Sequence, residues 1–277
     1  MMMQHSAHAP PLAIYRMDFF RQPPYSTTEL LYACVTAGFA MDSRAMEIRT
    51  SDECSVHTCG TRRWRGWREA ILSVASSMAT RHVEGYTEIL AGSAPVVAFM
   101  ELGRCIRHAP FIACMKQSGT LWSVFDLSNE SVGAHAPILD LTCQTIAHDE
   151  CDTRTPAVLL FVTTKPTYSV GVHHLERIHT LLPTLRIAHN WRLASSTRAV
   201  VVPMGSREAP NIGDLRMDIV DAYVRIREEL PHVRHVIMAC SGSQPLAFAL
   251  GQSLSAELPY HQVHVVDLAK GQYELCW

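Results

Sequence analysis

Two short turns in this chain carry the residue types that hold an anion. Gly92-Ser93-Ala94-Pro95 and Gly242-Ser243-Gln244-Pro245 each follow a short apolar run and lead into a helix-like one. Glycine permits a positive φ or a close approach of backbone to ligand. Serine brings a hydroxyl and can cap the helix, and proline fits the first helical turn, where its missing N–H breaks no bond. The N–H groups and the positive end of the helix dipole then favour phosphate. A single Ser-x-Pro is also an ordinary helix start, so the reading rests on the turn occurring twice. Each copy is followed by Ala-Phe (Ala98-Phe99; Ala247-Phe248), by Leu-Gly (Leu102-Gly103; Leu250-Gly251) and by a run ending in Asp-Leu (Asp126-Leu127; Asp267-Leu268). A repeat of this kind points to internal duplication.

Two further loops offer hydroxyls and a cation. Thr163-Thr164-Lys165 and Gly205-Ser206-Arg207 each close a strand-like run, a placement that suits a phosphodiester; a plain solvated turn is the alternative for the first. Arg62, Arg63, Arg65 and Arg68 surround Trp64 and Trp67, but a buried tryptophan face and a solvated arginine face explain them better than base stacking. Cys54-x2-His57-x-Cys59 and Cys143-x4-His148-x2-Cys151 lack the paired Cys-x2-Cys spacing of a zinc ribbon, and no metal or other cofactor is expected. His173, His174 and His179 lack the glutamate of a zinc protease and read as solvated. There is no Gly-x-Ser-x-Gly elbow, no Walker A sequence and no Gly-x-Gly-x-x-Gly, so no catalytic residue is assigned.

The elements that would position these turns alternate between strand and helix. In the second half, Ala157–Thr163, Arg198–Met204, His235–Cys240 and Gln262–Leu268 read as buried strands. Helices are expected over 170–182, after Asp214 as cap, and over Pro245–Ser253; Leu215, Ile219, Ala222, Tyr223, Ile226 and Leu230 form one stripe. The first half repeats this order. Its strands are expected at Leu12–Phe20, Ala45–Arg49, Tyr86–Ala91, Phe111–Lys116 and Leu121–Leu127, and its helices at Thr28–Phe39, Trp64–Met78 and Pro95–Ile106. Strands alternating with helices imply a mainly parallel sheet, so the fold class is α/β, with two pseudo-symmetric Rossmann-like units. The units span 12–127 and 156–277, joined by a connector over 128–155 and preceded by a disordered tail over 1–11. In such sheets ligands bind beyond the carboxyl ends of the strands, where both turns fall.

Composition sets outer limits. The chain has 277 residues, of which 48% are hydrophobic and 18% charged, as in globular proteins. A formal net charge of −2 argues against sequence-independent DNA or RNA binding, which needs a cationic excess. No apolar run is long enough to span a membrane, and the start is no secretory signal. Thiols such as Cys105, Cys114 and Cys240 sit in core-like segments, as expected in a reducing compartment. A cytoplasmic location follows as the expectation.

The run HVIMACSGSQPLAFALGQSL, with VHVVDL and GQYEL after it, resembles the C-terminal signature of SAVED domains. EILAGSAPVVAFMELG, followed by GTLWSVFDL with Trp122, resembles the matching piece of the N-terminal half. The resemblance extends from about Arg62 to the C-terminus and reaches earlier residues only through topology. It implies two fused units similar to the CRISPR-associated Rossmann fold (CARF), binding a cyclic oligonucleotide of an antiviral (CBASS or type III CRISPR) system between them. It further implies head-to-tail self-association that activates an effector. The implied pocket includes Gly92, Ser93, Gly242, Ser243 and Gln244, with Thr163, Thr164 and Lys165 from the opposite loop; Ala94, Ser206, Arg207 and Ser241 complete the expected ligand-binding residues. Two complete halves leave no residues for an effector, which is expected in a separate protein or in a longer chain. A receptor is favoured over an enzyme; the alternative is a ring-nuclease-like phosphodiesterase.

Overall fold

The computed structural model describes residues 12–17, 25–39, 46–49, 61–84, 86–106, 111–116, 122–126, 139–145, 155–163, 191–201, 212–255, 262–267 and 274–275. The first sheet contains β1 (Leu12–Met17), β2 (Met46–Arg49), β3 (Thr87–Gly92), β4 (Phe111–Lys116) and β5 (Trp122–Asp126), in the order β2-β1-β3-β4-β5. All neighbours pair in parallel except β4 with β5. The second sheet contains β6 (Leu139–Thr145), β7 (Thr155–Thr163), β8 (Trp191–Val201), β9 (His235–Ser241), β10 (Gln262–Asp267) and β11 (Glu274–Leu275), in the order β6-β8-β7-β9-β10-β11. With β6 set aside, β8-β7-β9-β10-β11 repeats the first sheet strand for strand, down to the antiparallel last pair. The repeat legible in two turns is therefore a repeat of topology, and the α/β class of two pseudo-symmetric units holds.

The described helices are α1 (Thr27–Thr36), α2 (Thr61–Val83), α3 (Val96–Cys105), α4 (Ile212–Glu229) and α5 (Gln244–Ser255). α1 starts on a capping box: the Glu29 amide donates to Ser26 Oγ at 3.2 Å, and the Ser26 amide donates to Glu29 Oε2 at 2.8 Å. In α2, Trp67, Ile71, Val74, Ala75 and Met78 share a buried face, so Trp67 is a core residue as its spacing predicts. In α4 the stripe Leu215, Ile219, Ala222, Tyr223 and Ile226 is buried and Leu230 half-buried.

Three expectations need correction. Asp214 is not the cap of α4, which already begins at Ile212. β8 starts at Trp191, well before Arg198: it is hydrogen-bonded to β7 on one side and β6 on the other, so its backbone is satisfied without an apolar run. Leu139–Thr145, within the stretch read as connector, is the edge strand β6, antiparallel to β8. The helix expected over 170–182, the terminal tail and His173, His174 and His179 lie outside the described residues.

Both halves share one core. Alternate residues of β1 face opposite ways: Ala13, Tyr15 and Met17 join the main cluster, while Leu12 and Ile14 pack with Leu30 and Cys34 of α1. The main cluster continues through α2 and α3 into α4, α5, and Leu160 and Val162 of β7. A layer of helices thus packs between the sheets, and α3 and α5 meet at its centre. A Cβ on Gly103 would lie 2.1 Å from the Phe248 carbonyl oxygen and 3.0 Å from the Gln252 nitrogen. A Cβ on Gly251 would lie 2.0 Å from the Met100 carbonyl oxygen and 3.0 Å from the Arg104 nitrogen. Each glycine sits over the residue three before, and the residue one after, its counterpart. That reciprocity is the signature of an approximate two-fold relation. The Leu-Gly pairs of the repeat are the helix crossing itself.

Candidate ligand-binding site

The two turns stand at the carboxyl ends of equivalent strands. Met17 of β1 is in register with Gly92 of β3, and Thr163 of β7 with Ser241 of β9. Gly92 has φ +140°, and a Cβ there would lie 2.4 Å from the Met17 carbonyl oxygen. The next amide, Ser93 N–H, donates to that same carbonyl at 3.1 Å. Gly92 is therefore required both by its dihedral and by the neighbouring strand.

Beyond the glycines the copies diverge. In the second turn Ser243 is the cap: Leu246 N–H donates to Ser243 Oγ at 3.3 Å, and Pro245 sits in the first turn of α5. In the first turn the expected serine cap does not form. Pro95 itself is the N-cap of α3 and makes no side-chain cap bond. The reason is a shift in helix start: α3 begins after its proline and α5 before it, so Ser93 lies too far upstream to reach the third helical amide.

The turns are brought together by α3 and α5. Gln244, the first residue of α5, donates from Nε2 to the Ala94 carbonyl at 3.0 Å. Further along, Gln252 donates from Nε2 to the Ile106 carbonyl, just past the end of α3, at 3.4 Å. The two helices therefore run side by side in the same direction, with both N-termini at one end. Each helix N-terminus carries about half a positive charge, and two placed together are mutually unfavourable until an anion joins them.

Ser93, Ser241, Gly242, Ser243 and Gln244 are half-buried at this end, whereas Gly92, Ala94 and Thr163 are buried. Thr163 closes β7 beside Ser241 rather than facing solvent. Thr164, Lys165, Ser206 and Arg207 lie outside the described residues. The polar groups gathered here are hydroxyls, one carboxamide and backbone N–H groups, which hydrogen-bond phosphates and base edges. Burial pushes the Cys240 thiol, one residue before Ser241, up to about 12, so it is neutral and unreactive at physiological pH.

One buried charged residue at this edge of the sheet was not foreseen. Arg16, at the carboxyl end of β1, is 0% exposed, donates from Nη2 to the Tyr25 carbonyl at 2.9 Å and lies 4.7 Å from the centre of the Tyr25 ring. By the alternation of β1 its side chain lies on the α1 side of the first sheet with Leu12 and Ile14, opposite to Met17. Its only signal in the sequence is an arginine in the otherwise apolar run LAIYRM.

Farther along α3, Glu101 is 3% exposed and pairs with Arg68 Nε at 3.3 Å and Arg104 Nη1 at 3.2 Å. Arg68 of the arginine cluster is thus an ion-pair partner on a solvated helix face; the side chains of Arg62, Arg63 and Arg65 lie outside the described residues. Burial holds the Glu101 carboxyl above its ordinary value, with Arg104 and then Arg68 pulling it down less strongly. A carboxyl raised in the fold binds its proton more tightly folded than unfolded. Its contribution to stability is therefore complete below the ordinary carboxylate value and lost as pH rises through the folded one. The stability of the native protein relative to Glu101→Gln is expected to increase from neutral pH down to about 4.5, as measured by denaturant unfolding of both at each pH. An opposite trend would mean that the two arginines outweigh burial.

Among the described residues no group of three His, Cys, Asp or Glu side chains is placed to hold a metal ion, and no helix is long and apolar enough to cross a membrane. Cys143 lies in β6, while Cys54, His57, Cys59, His148 and Cys151 lie outside the described residues.

No family model matches the sequence, and no curated protein matches it. Solved structures do. The Cap4 SAVED/CARF-domain containing receptor of Acinetobacter baumannii with the cyclic trinucleotide 2′3′3′-cAAA superposes with a TM-score of 0.54 at 10% identity, over 96% of this chain and 50% of that one. The same receptor with 3′3′3′-cAAA gives 0.51 at 9% identity, over 96% and 50%. The chain spans about half the length of these receptors. With two repeated sheets, a shared helical layer and a backbone that follows theirs almost from end to end, the chain has the SAVED/CARF fold.

Proposed function

We propose that the chain is a cytoplasmic sensor for a cyclic oligonucleotide second messenger, bound between its two halves. The observation that carries this is the meeting of two equivalent turns at the N-termini of parallel helices, at the carboxyl edge of a SAVED/CARF fold. A ring of nucleotides carries several phosphates around one centre, and a pseudo-two-fold site presents two sets of amides and hydroxyls to it. The receptors that share this fold are bound to cyclic trinucleotides, which supports the same ligand class here. Gly92, Ser93 and Ala94 with Ser241, Gly242 and Ser243 form the centre of the site. Thr163, Thr164, Lys165, Ser206 and Arg207 complete the proposed set of ligand-binding residues. The halves, 12–127 and 156–277, supply one turn each. Ligand binding drives head-to-tail self-association, which activates an antiviral effector carried in a partner or in a further segment.

The test is a panel of cyclic di-, tri- and tetranucleotides, with affinity, ligand fate and particle mass followed together. Micromolar or tighter binding of at least one, recovery of that ligand intact, and a rise in mass are expected. Turnover of the ligand would replace the receptor by a phosphodiesterase, and a complex that stays monomeric would remove the assembly step. No binding across the panel would defeat the reading.

A further inference from the structure

We infer that Gln244 is a positioning residue, the strut that sets the spacing between the two turns; its bearing on ligand affinity rests on the receptor reading above. In the repeat, Gln244 and Ala94 are equivalent, each standing between the serine and the proline of its turn. Residues near an approximate two-fold relation meet their own counterparts, and here the Gln244 carboxamide donates to the carbonyl of its counterpart at 3.0 Å. The reverse bond has no donor, because alanine carries none. The pair is thus joined by one side-chain hydrogen bond where a symmetric sequence would present two competing carboxamides.

Among the described residues, ties hold α3 against α5 at the middle and at both ends. The glycine crossing in the middle is backbone on backbone, and Gln252, 2% exposed, makes the tie at the far end. Gln244 makes the tie at the ligand end, and it is half-buried, so water competes for it. That makes it the tie most easily cut without loss of the fold. Ser243 caps α5, whereas the N-cap of α3 is Pro95, which has no side-chain cap bond to give, and the Gln244 bond reaches the Ala94 peptide just ahead of it.

Two substitutions test this. Gln244→Met keeps the length of the side chain and removes the donor; Gln244→Lys restores a donor of similar reach. Hydrogen exchange of ligand-free protein should show amides from Gly92 to Val97, in the other half of the chain, exchanging about fivefold faster in Gln244→Met, with protection recovered in Gln244→Lys. The affinity of Gln244→Met for 2′3′3′-cAAA should fall about fivefold, with a melting temperature close to that of the native protein. Unchanged exchange in Gln244→Met would overturn the strut outright. Faster exchange with unchanged affinity would overturn its role in ligand positioning. A native protein that does not bind 2′3′3′-cAAA would count against that ligand for the receptor, and the exchange result alone would then decide whether Gln244 holds the turns.

Discussion

Gly251→Ala is expected to lower the stability of the whole molecule by about 3 kcal/mol, at the upper end of what overpacking costs. The added methyl would lie 2.0 Å from the Met100 carbonyl oxygen, 2.9 Å from its carbon and 3.0 Å from the Arg104 nitrogen. All three are backbone atoms, so no side chain can rotate out of the way and the two helices must separate. Separation opens the one core that both halves share, including Phe99, Leu102, Phe248 and Leu250. Gly103→Ala should behave alike, since its methyl would lie 2.1 Å from the Phe248 carbonyl oxygen. The double variant should cost clearly less than the sum, because helices already forced apart accommodate the second methyl. Thermal or denaturant unfolding of the four proteins checks this. A melting temperature unchanged by Gly251→Ala would mean that α3 and α5 are not in contact.

Gly92→Ala should be comparably severe, and for two independent reasons. At φ +140° a side chain is strained by about 1–3 kcal/mol before any contact is considered. Its Cβ would then fall 2.4 Å from the carbonyl oxygen of Met17 and 2.7 Å from its nitrogen. Relief requires the end of β3 to move away from β1, which breaks the Ser93 N–H bond to Met17 and swings the first turn out of place. An unfolding free energy lower by about 3 kcal/mol or more, with loss of binding to any cyclic oligonucleotide that the native protein holds, is the expected result. Binding at native affinity by a folded Gly92→Ala protein would show that the first turn does not contribute to the site.

Much of this arrangement can be read from residue order. The helical stripes of α2 and α4 are regular because one face of each meets the core, so Ile71 and Val74, or Leu215 and Ile219, announce themselves by spacing. β7 and β9 are covered on both faces, and their unbroken apolar runs follow from that. Edge and polar strands leave no such trace. β6 and the first part of β8 are held by ladder bonds whose partners lie far away in sequence, and a backbone ladder places no demand on side-chain type. Capping was legible only in part: two turns with the same four-residue pattern begin their helices at different points, so Ser243 is the N-cap of α5 whereas Pro95 stands at that position in α3.

The sequence by itself determined the α/β class, the duplication and the four residues of each turn, because these depend on local spacing and on chemistry that repeats. It also singled out Leu-Gly pairs without saying what the glycines were for. Only the tertiary structure decided that Gly103 and Gly251 pack against each other's helices and that α3 and α5 run parallel with their N-termini together. It likewise showed that Gln244 ties the two turns together, and that Arg16 is buried against Tyr25. The contacts between α3 and α5 join residues well apart in the chain, such as Ala94 and Gln244, and close packing of backbone on backbone appears only once both partners have coordinates.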